Sequence, residues 1–547
     1  MKQKLFLSAV MVILLLTFLS GCNRSAKEET SQTDIKQDPI EEKLKANPAL
    51  SRSGALIVAS EEIDGGFNPL FPASDTTHWI VDLVFDPLFY YGADGNLENG
   101  LAESLEQQEN RLIYIMTLRP GIEFHNGADL TSKDVVFTYQ TLLNPSYDGA
   151  YKSAVTNLEK VESAVDGTVT FTFRSDDRMN ERAFTVPILS YDHYRFSEWQ
   201  AFVNNDAVPV GTGAFKFDNY TENDSIILIK NTGYWQKPPM ITGIVIREMS
   251  EAVASKAFEE GRIDLYSMTP SRASSSGVRT LDYSGIIVQS DDVITMIGVN
   301  TLSPVLSDYN VRKALLIGMN RENFVTTEWE GYSSVVDTIT TSLIEAQLGN
   351  QDSRFKYDAE EAANLLEASG WRDSDDDGIR EKNKVKLSLE WQVFADVDWS
   401  YNLAEMAAAE WRKLGIEVNL EFCDYEKMMA DLEAGDIPDL WNFAWRMDND
   451  ANPAVLFGNG EPNYNYTGYN DGVANQIFQS MRTAYTSFEF EELIDQWHIL
   501  QSDSLAYLPI ARPYSVWVYN TRLKNFGFRE GGDWTDFVNT LELEVLQ

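Results

Sequence analysis

Asp448 is the side chain best placed to bind a charged ligand. It stands three residues after Trp445, at the end of a predicted apolar strand over 440–445. A carboxylate fixed in a cleft that excludes water forms a strong charge-assisted hydrogen bond with an ammonium group. Its removal would leave that ammonium buried without a partner, at a cost of about 2–5 kcal/mol. The chain has 84 acidic residues, so a solvated loop aspartate is the alternative interpretation. Asp450 is the second candidate for the same role.

A second acidic segment has the ligand types of a calcium site. Asp373, Asp375 and Asp377 precede Gly378 with the spacing of the first half of an EF-hand loop. The twelfth position of such a loop supplies a bidentate glutamate, whereas this chain has Lys384 there. The pattern therefore favours a solvated turn, with calcium as the alternative.

Histidine spacing gives no metal motif. None of the four histidines is three or four residues from another histidine or from a cysteine: His78, His125, His193 and His498. We therefore predict no metal site and no cofactor, and a site built from ligands distant in sequence is the alternative. The sequence also lacks a Gly-x-Ser-x-Gly elbow, a phosphate loop and a His-Glu-x-x-His motif. We expect a protein that is not an enzyme; a surface hydrolase using paired carboxylates is the other possibility.

The N-terminus has the pattern of an export signal. Lys2 and Lys4 precede an apolar run over 5–19, and Leu19-Ser20-Gly21-Cys22 resembles the lipobox of bacterial lipoproteins. The run is shorter than the ~20 residues that a spanning helix needs, which disfavours the alternative of an uncleaved anchor. We predict a signal peptide over 1–21, a lipid on Cys22 and an extracytoplasmic protein attached to the cell membrane. Residues 22–51, poor in large apolar side chains, are predicted to form a disordered tether.

The charge limits the possible partners. Removing residues 1–21, which hold two lysines and no acid, changes the formal net charge from −40 to −42. Such a chain repels phosphate backbones, which excludes nucleic acid as a partner, and it repels anionic lipid. The lipid on Cys22 is then the predicted membrane attachment. Cys423 has no second cysteine to pair with, so no disulfide is expected.

Hydrophobic periodicity predicts an α/β fold. Strands are expected around 55–58, 112–118, 169–173, 226–229, 416–422 and 440–445. Helices are predicted to begin after Thr131, Asp308 and Asp358, and others over 401–413 and after Asp424. Because strands and helices alternate in the second half, we expect largely parallel strands there, with ligands bound at their carboxyl ends.

Several short segments resemble the family 5 extracellular solute-binding proteins, the oligopeptide and dipeptide receptors of ABC transporters. The segments occur in the family's order from about residue 55 to the C-terminus: 67–70, 85–88, 118–127, 130–137, 210–215, 231–235, 261–264, 299–301, 308–315, 357–366 and 370–371. The resemblance implies a two-lobed fold of the periplasmic-binding-protein type (class II with an extra inserted domain), with a hinge between the lobes. It implies lobe I over 52–92, 209–300 and 508–547, an inserted domain over 93–208 and lobe II over 301–507.

The same resemblance implies the function and the site. A peptide, and within that class an oligopeptide, would be held between the lobes and passed to permease subunits. The protein would be a monomer. In the family, an aspartate three residues after a tryptophan pairs with the α-amino group of the peptide, which assigns that role to Asp448 beside Trp445. Residues flanking the tryptophan bond to the peptide main chain, which corresponds to Ala444 and Arg446. The family usually has glycine where this chain has Ala444, and the stretch to Pro453 is one residue longer. The loop 73–77 is expected to border the cleft. An oligosaccharide, a nickel chelate or haem is the alternative ligand.

Overall fold

The computed structural model describes most of the chain beyond residue 38. The described residues are 39–63, 65–72, 74–92, 96–108, 110–204, 207–269, 277–290, 292–342, 344–345, 353–447, 452–459, 464–528 and 533–546. Cys22, Ala73, Asp448 and Asp450 lie outside these ranges, so the predictions made for them remain predictions. Among the described residues, no helix is both long enough and apolar enough to cross a membrane.

The strands are numbered in chain order. They are β1 Ala55–Ser60, β2 Phe89–Tyr91, β3 Leu97–Asn99, β4 Ala102–Gln107, β5 Ile113–Leu118, β6 Leu158–Val165, β7 Thr168–Phe173, β8 Phe215–Thr221, β9 Ser225–Lys230, β10 Gly243–Glu248, β11 Leu265–Met268, β12 Ser284–Ser290, β13 Val293–Val299, β14 Ser333–Val335, β15 Glu381–Lys382, β16 Val385–Lys386, β17 Ser388–Phe394, β18 Glu417–Cys423, β19 Leu440–Arg446, β20 Tyr507–Asn520, β21 Leu523–Lys524 and β22 Glu542–Leu543.

The helices pack around these strands. The α-helices are Pro39–Ala46, Asp75–Val84, Ser132–Leu142, Tyr191–Tyr194, Trp199–Val203, Glu251–Glu259, Tyr309–Ile317, Arg321–Trp329, Ala359–Ala368, Asp398–Lys413, Tyr425–Ala434, Ala454–Phe457, Gly472–Met481 and Ser487–Ser504. Their N-termini follow the sequence signals. The Asp358 carboxylate accepts from the Glu361 amide at 2.8 Å, and the Thr131 amide donates to Asp134 Oδ2 at 2.9 Å. Satisfying free amides in the first turn in this way fixes where each helix begins.

One large sheet runs through both lobes, in the order β18-β17-β19-β13-β20-β11-β1-β10-β9-β8, with β12 and β14 also paired to β20. β1 pairs in parallel with β10 and β11, and β17 pairs in parallel with β18 and β19. The ladders of β13 and β20 are antiparallel. The expectation of largely parallel strands in the second half is therefore correct for the pairing of β17 with β18 and β19 and wrong for β14 and β20, because the long strand β20 pairs antiparallel with its neighbours.

β20 connects the two lobes. Its first part pairs with β13 over Tyr507–Ala511, and its second part pairs with β12 over Tyr514–Asn520. The second crossing is the short connection between the end of β12 and the start of β13. β13 packs in the apolar cores of lobe II, whereas Val516 and Val518 pack in those of lobe I. The hinge therefore precedes β13, earlier than the boundary at 300/301 that the resemblance implies.

The inserted domain is continuous with lobe I. Its four-stranded sheet, β4-β5-β7-β6, shares one apolar core with β1, β10 and the helix Asp75–Val84 of lobe I. Burial of this shared core joins the two into one body, because separating them would expose large apolar side chains.

The folded body also begins earlier than predicted. Ala49 and Leu50 are buried, Asn47 Nδ2 donates to Asn520 Oδ1 at 2.8 Å, and the Leu546 amide donates to the Leu50 carbonyl. The predicted tether over 22–51 is wrong for these last residues, because two apolar side chains and one buried amide were enough to attach them to lobe I.

Candidate functional site

Strand β19 is paired along the whole of one edge and only at its start along the other. On one side it pairs with β13 over its whole length, from Leu440 opposite Val299 to Arg446 opposite Val293. On the other side β17 pairs only with Leu440 and Trp441 among the described residues. Beyond Trp441, Asn442 and Phe443 are buried and Asn442 Nδ2 donates to the Ser400 carbonyl at 2.8 Å, whereas Ala444 and Trp445, at the carboxyl end of the parallel strands, are half-buried.

The predicted site residues of β19 differ in exposure. Ala444 and Trp445 are half-buried and Arg446 is exposed. The Trp445 ring stacks on Phe443 at a centroid distance of 5.9 Å and contacts Tyr464 at 5.1 Å. Packing on both sides holds the indole in one orientation, so the strand end is fixed before any ligand arrives.

Tyrosines that the sequence did not single out surround this strand end. Tyr464 and Tyr466 contact each other at 6.4 Å, and Tyr425 contacts Phe394 at 5.5 Å. Burial, with help from Glu433, raises the pKa of Tyr466 to about 12, so its hydroxyl is neutral. No local pattern marks these tyrosines, because they come from two separate segments that only the fold brings together.

The hinge lies directly beside β19. The Met447 amide donates to the Asp292 carbonyl at 3.0 Å, and Asp292 Oδ1 accepts from the Ser342 amide at 2.6 Å. Arg512, in the middle of β20, is 1% exposed. Its Nε donates to Glu345 Oε2 at 2.8 Å, and its Nη1 lies 3.6 Å from Asp292 Oδ1. Asp292 therefore links both hinge crossings to the residue that precedes Asp448.

Lobe I places its own carboxyl strand ends at a shallow pocket. Glu61, Glu248, Met249 and Ser250 line about 450 Å³ at the ends of β1 and β10. Of the predicted loop 73–77, residues 74–77 form the start of a helix beside it: Ser74 caps the helix Asp75–Val84, and Thr76 Oγ1 donates to the Glu62 carbonyl at 2.8 Å. These contacts attach the start of that helix to the residues that follow β1; that the segment borders the cleft stays a prediction.

The candidate metal ligands divide into two kinds. Burial lowers the pKa of His125 and of His498 to about 4, so both rings are neutral at pH 7. His125 Nε2 hydrogen-bonds to the Gly213 carbonyl at 2.9 Å, which gives it a structural role.

Oxygens of Asp373, Asp375 and Asp377 lie within 4.8 Å of one another on the surface. The Lys386 ammonium contacts Asp377 and occupies part of this cluster. Whether the cluster binds calcium stays a prediction for a binding experiment.

Comparisons with known proteins agree with this architecture. The bacterial extracellular solute-binding proteins, family 5 (middle), match residues 96–466. The oligopeptide-binding protein AppA of Bacillus subtilis (strain 168) is 23% identical over 520 residues, covering 90% of each chain. The nickel-binding periplasmic protein of Escherichia coli (strain K12) is 26% identical over 351 residues, covering 62% of this chain and 65% of that protein.

Solved structures confirm the predicted fold class. The oligopeptide-binding protein AppA from Bacillus subtilis in complex with a nonapeptide superposes with a TM-score of 0.74 at 21% identity, covering 90% of this chain and 99% of that one. NikA from Brucella suis in complex with Fe(III)-EDTA superposes with a TM-score of 0.77 at 20% identity, covering 89% and 99%. One architecture thus holds a peptide in one relative and a metal chelate in another, so the ligand must be argued from the site.

Proposed function

The chain belongs to the bacterial extracellular solute-binding proteins of family 5, and on this premise we propose that it captures peptides for an ABC importer. The ligand is held between the two lobes, which close by bending at the hinge. The relatives are named as binding proteins rather than enzymes, which agrees with a role without a chemical step. Closure is driven by the higher affinity of the closed state for ligand, and the partner ATPase supplies the energy for transport.

The observation that carries the proposal is the end of β19 around Ala444 and Trp445, which are half-buried and which pair with β13 on one edge but, on the other, with no strand among the described residues. An extended peptide can add to this edge as a further strand, through hydrogen bonds to the main chain around Ala444 and Arg446. Main-chain bonds are the same for every peptide sequence, so this mode of binding accepts many side chains. The surrounding Trp445 and Tyr464 exclude water and strengthen those bonds.

The ligand's amino terminus completes the proposed site. Asp448 follows the strand end after Met447, and we assign its carboxylate to the α-ammonium group of the peptide, with Asp450 as the alternative. A lipid on Cys22 would keep the receptor near the permease. Both assignments rest on the sequence pattern and the family resemblance.

Native mass spectrometry of protein purified without denaturation tests the ligand class. Closed receptors retain ligand through purification, so we expect a series of complexes whose added masses correspond to peptides. A single added mass equal to a sugar, haem or a metal chelate would overturn the peptide proposal and redirect it to that solute. Incubation with the recovered peptides should return them uncleaved; cleavage products would favour the hydrolase alternative.

A further inference from the structure

The inserted domain contacts lobe II at a cluster that we call the latch: Arg111, Asp176, Asp177 and Arg178 of the inserted domain with Arg482, Tyr485 and Phe490 of lobe II. Arg482 Nε donates to Asp177 Oδ2 at 2.6 Å, and the Arg178 amide donates to the Arg482 carbonyl at 2.7 Å. The Tyr485 hydroxyl hydrogen-bonds to Asp176. These contacts join parts of the chain about 300 residues apart.

Two arginine–ring contacts strengthen the cluster. The Arg111 guanidinium lies 3.6 Å from the centroid of Tyr485, and that of Arg178 lies 4.0 Å from the centroid of Phe490. Arg111 is in the left-handed backbone region, with φ 52°, at the turn between β4 and β5. That strained turn projects its side chain across to the other lobe. Aromatic faces attract cations in this range, and arginine adds stacking.

The position of the latch restricts how the lobes can move relative to each other. The inserted domain shares one core with lobe I, so it moves with lobe I. The hinge joins the lobes through paired strands, whereas the latch joins them through one main-chain hydrogen bond and a small set of side-chain contacts. Any opening at the hinge that swings lobe II away from the inserted domain must break the latch.

The latch is also connected to the candidate ligand site. Asn452, immediately after the segment that carries Asp448 and Asp450, donates from Nδ2 to the Phe478 carbonyl at 3.4 Å. Phe478 is in the helix Gly472–Met481, which leads directly to Arg482. One short helix thus separates the latch from Asn452, the residue that follows the predicted ligand segment.

We propose that this contact is a reversible lock on the closed receptor, which slows ligand release and is opened by loss of the Asp177–Arg482 pair. The inference rests on the proposed receptor function. The arginines of the latch also have an electrostatic role. Closure brings together two lobes of a chain with a net charge of −40, and the latch places cations against carboxylates and rings where that repulsion would act.

Whether added salt opens or closes the protein distinguishes attraction at the latch from general repulsion between the acidic lobes. At an ionic strength of 0.15 M, charges more than about 8 Å apart are largely screened. Salt weakens the partly buried Asp177–Arg482 pair, in which the Arg482 side chain is 46% exposed, and opens the wild-type protein. In an Arg482→Gln variant that attraction is lost, while the repulsion between the acidic lobes and the arginine–ring contacts of the latch remain, so salt should close it instead.

Interlobe distances measured without ligand test the proposal. Spin labels on Val165→Cys and Val473→Cys, both exposed positions, report the distance from the inserted domain to lobe II in a Cys22→Ser, Cys423→Ser background. We expect Arg482→Gln to raise the ratio of open to closed molecules about fivefold, as the loss of a weak ion pair allows. Lys160→Gln is the matched control, because it removes the same charge from an exposed pair with Glu162 within the inserted domain.

The outcomes distinguish failure of the latch from failure of the receptor function. Distance distributions that are identical in wild type and Arg482→Gln, at low and high salt, would overturn the latch even if peptides bind. A shift with Arg482→Gln, absent with Lys160→Gln, supports it even if no peptide is ever found. As a second readout, we expect a fluorescent nonapeptide library to dissociate several-fold faster from Arg482→Gln. Unchanged dissociation of bound library members would contradict the role in release.

A disulfide across the latch gives the reverse test. The hydrogen bond between the main chains of residues 178 and 482 implies a Cα separation within the ~4.4–6.8 Å that a disulfide spans. Arg178→Cys with Arg482→Cys, in the same background, should crosslink on oxidation and trap the closed form until a reductant is added. Crosslinking without any change in the label distances or in the exchange of the library would contradict the lock.

Discussion

The hinge and the latch both connect the lobes, and they are built from different interactions. At the hinge, strands pair through the main chain, and the one arginine, Arg512, is 1% exposed and bound by two carboxylates. At the latch, the Arg482 side chain is 46% exposed and faces a single buried partner, Asp177. Buried main-chain ladders persist, whereas exposed pairs exchange easily with water. The difference implies that one joint is permanent and the other opens and closes.

Removing the hinge arginine should have the largest effect. Arg512→Met leaves Asp292 and Glu345 without their cation, so we expect a loss of about 3–5 kcal/mol in the free energy of unfolding. Urea unfolding measures it, and Lys413→Gln on an exposed helix surface is the control, expected within ±0.5 kcal/mol. A loss below 1 kcal/mol for Arg512→Met would mean that the hinge does not depend on this arginine.

As the pH falls, the part of lobe II that carries the latch should lose stability before the hinge does. His498 is in the helix Ser487–Ser504, which also carries Phe490 of the latch, and burial lowers its pKa to about 4. Since the unfolded value is near 6.5, the stabilising contribution is complete above that pH and is lost as the pH falls towards 4. One histidine with this shift costs about 3 kcal/mol by pH 4.

A His498→Gln variant isolates that contribution, because glutamine does not titrate. Its free energy of unfolding should fall less than that of the wild type between pH 6.5 and pH 4, and hydrogen exchange should locate the difference in lobe II. Parallel pH curves for the two proteins would show that His498 is protonated equally in the folded and unfolded states.

A smaller effect on stability is expected at the ligand site. Trp445→Ala removes the packing of the indole between Phe443 and Tyr464 and should cost about 1–2 kcal/mol in the free energy of unfolding. Affinity for peptides recovered from the protein should fall about tenfold, because the strand end loses its fixed geometry. Phe488→Ala, at a side chain 68% exposed, is the control. Equal affinities in calorimetry would remove Trp445 from the site.

Local chemistry explains what could be predicted from the sequence. The start of the helix after Asp358 is predicted by a capping signal that spans four residues. Gly370, with a positive φ of 87°, predicts its end. The alternation over 416–422 similarly predicts β18. Such signals depend on neighbouring residues alone, which is why strands and helices of both lobes agree with the structure.

What could not be predicted depends on contacts between distant segments. Asp177 and Arg482 are separated by 305 positions, and neither has a distinctive local pattern. The boundary at 300/301, which the family resemblance implies, assigns β13 to lobe I, whereas β13 packs in the cores of lobe II through contacts with distant segments. The tyrosines around Trp445 were missed for the same reason, since they converge only after the sheet is assembled.

The measurement that tests the central claim most directly is the affinity of one recovered peptide, free and N-acetylated, for wild type and Asp448→Asn. If Asp448 binds the α-ammonium group, the free peptide should lose at least tenfold in affinity on substitution, and the acetylated peptide should lose little. Equal losses for the two peptides, or undiminished binding of the free one, would contradict a peptide held by its amino terminus at the end of β19.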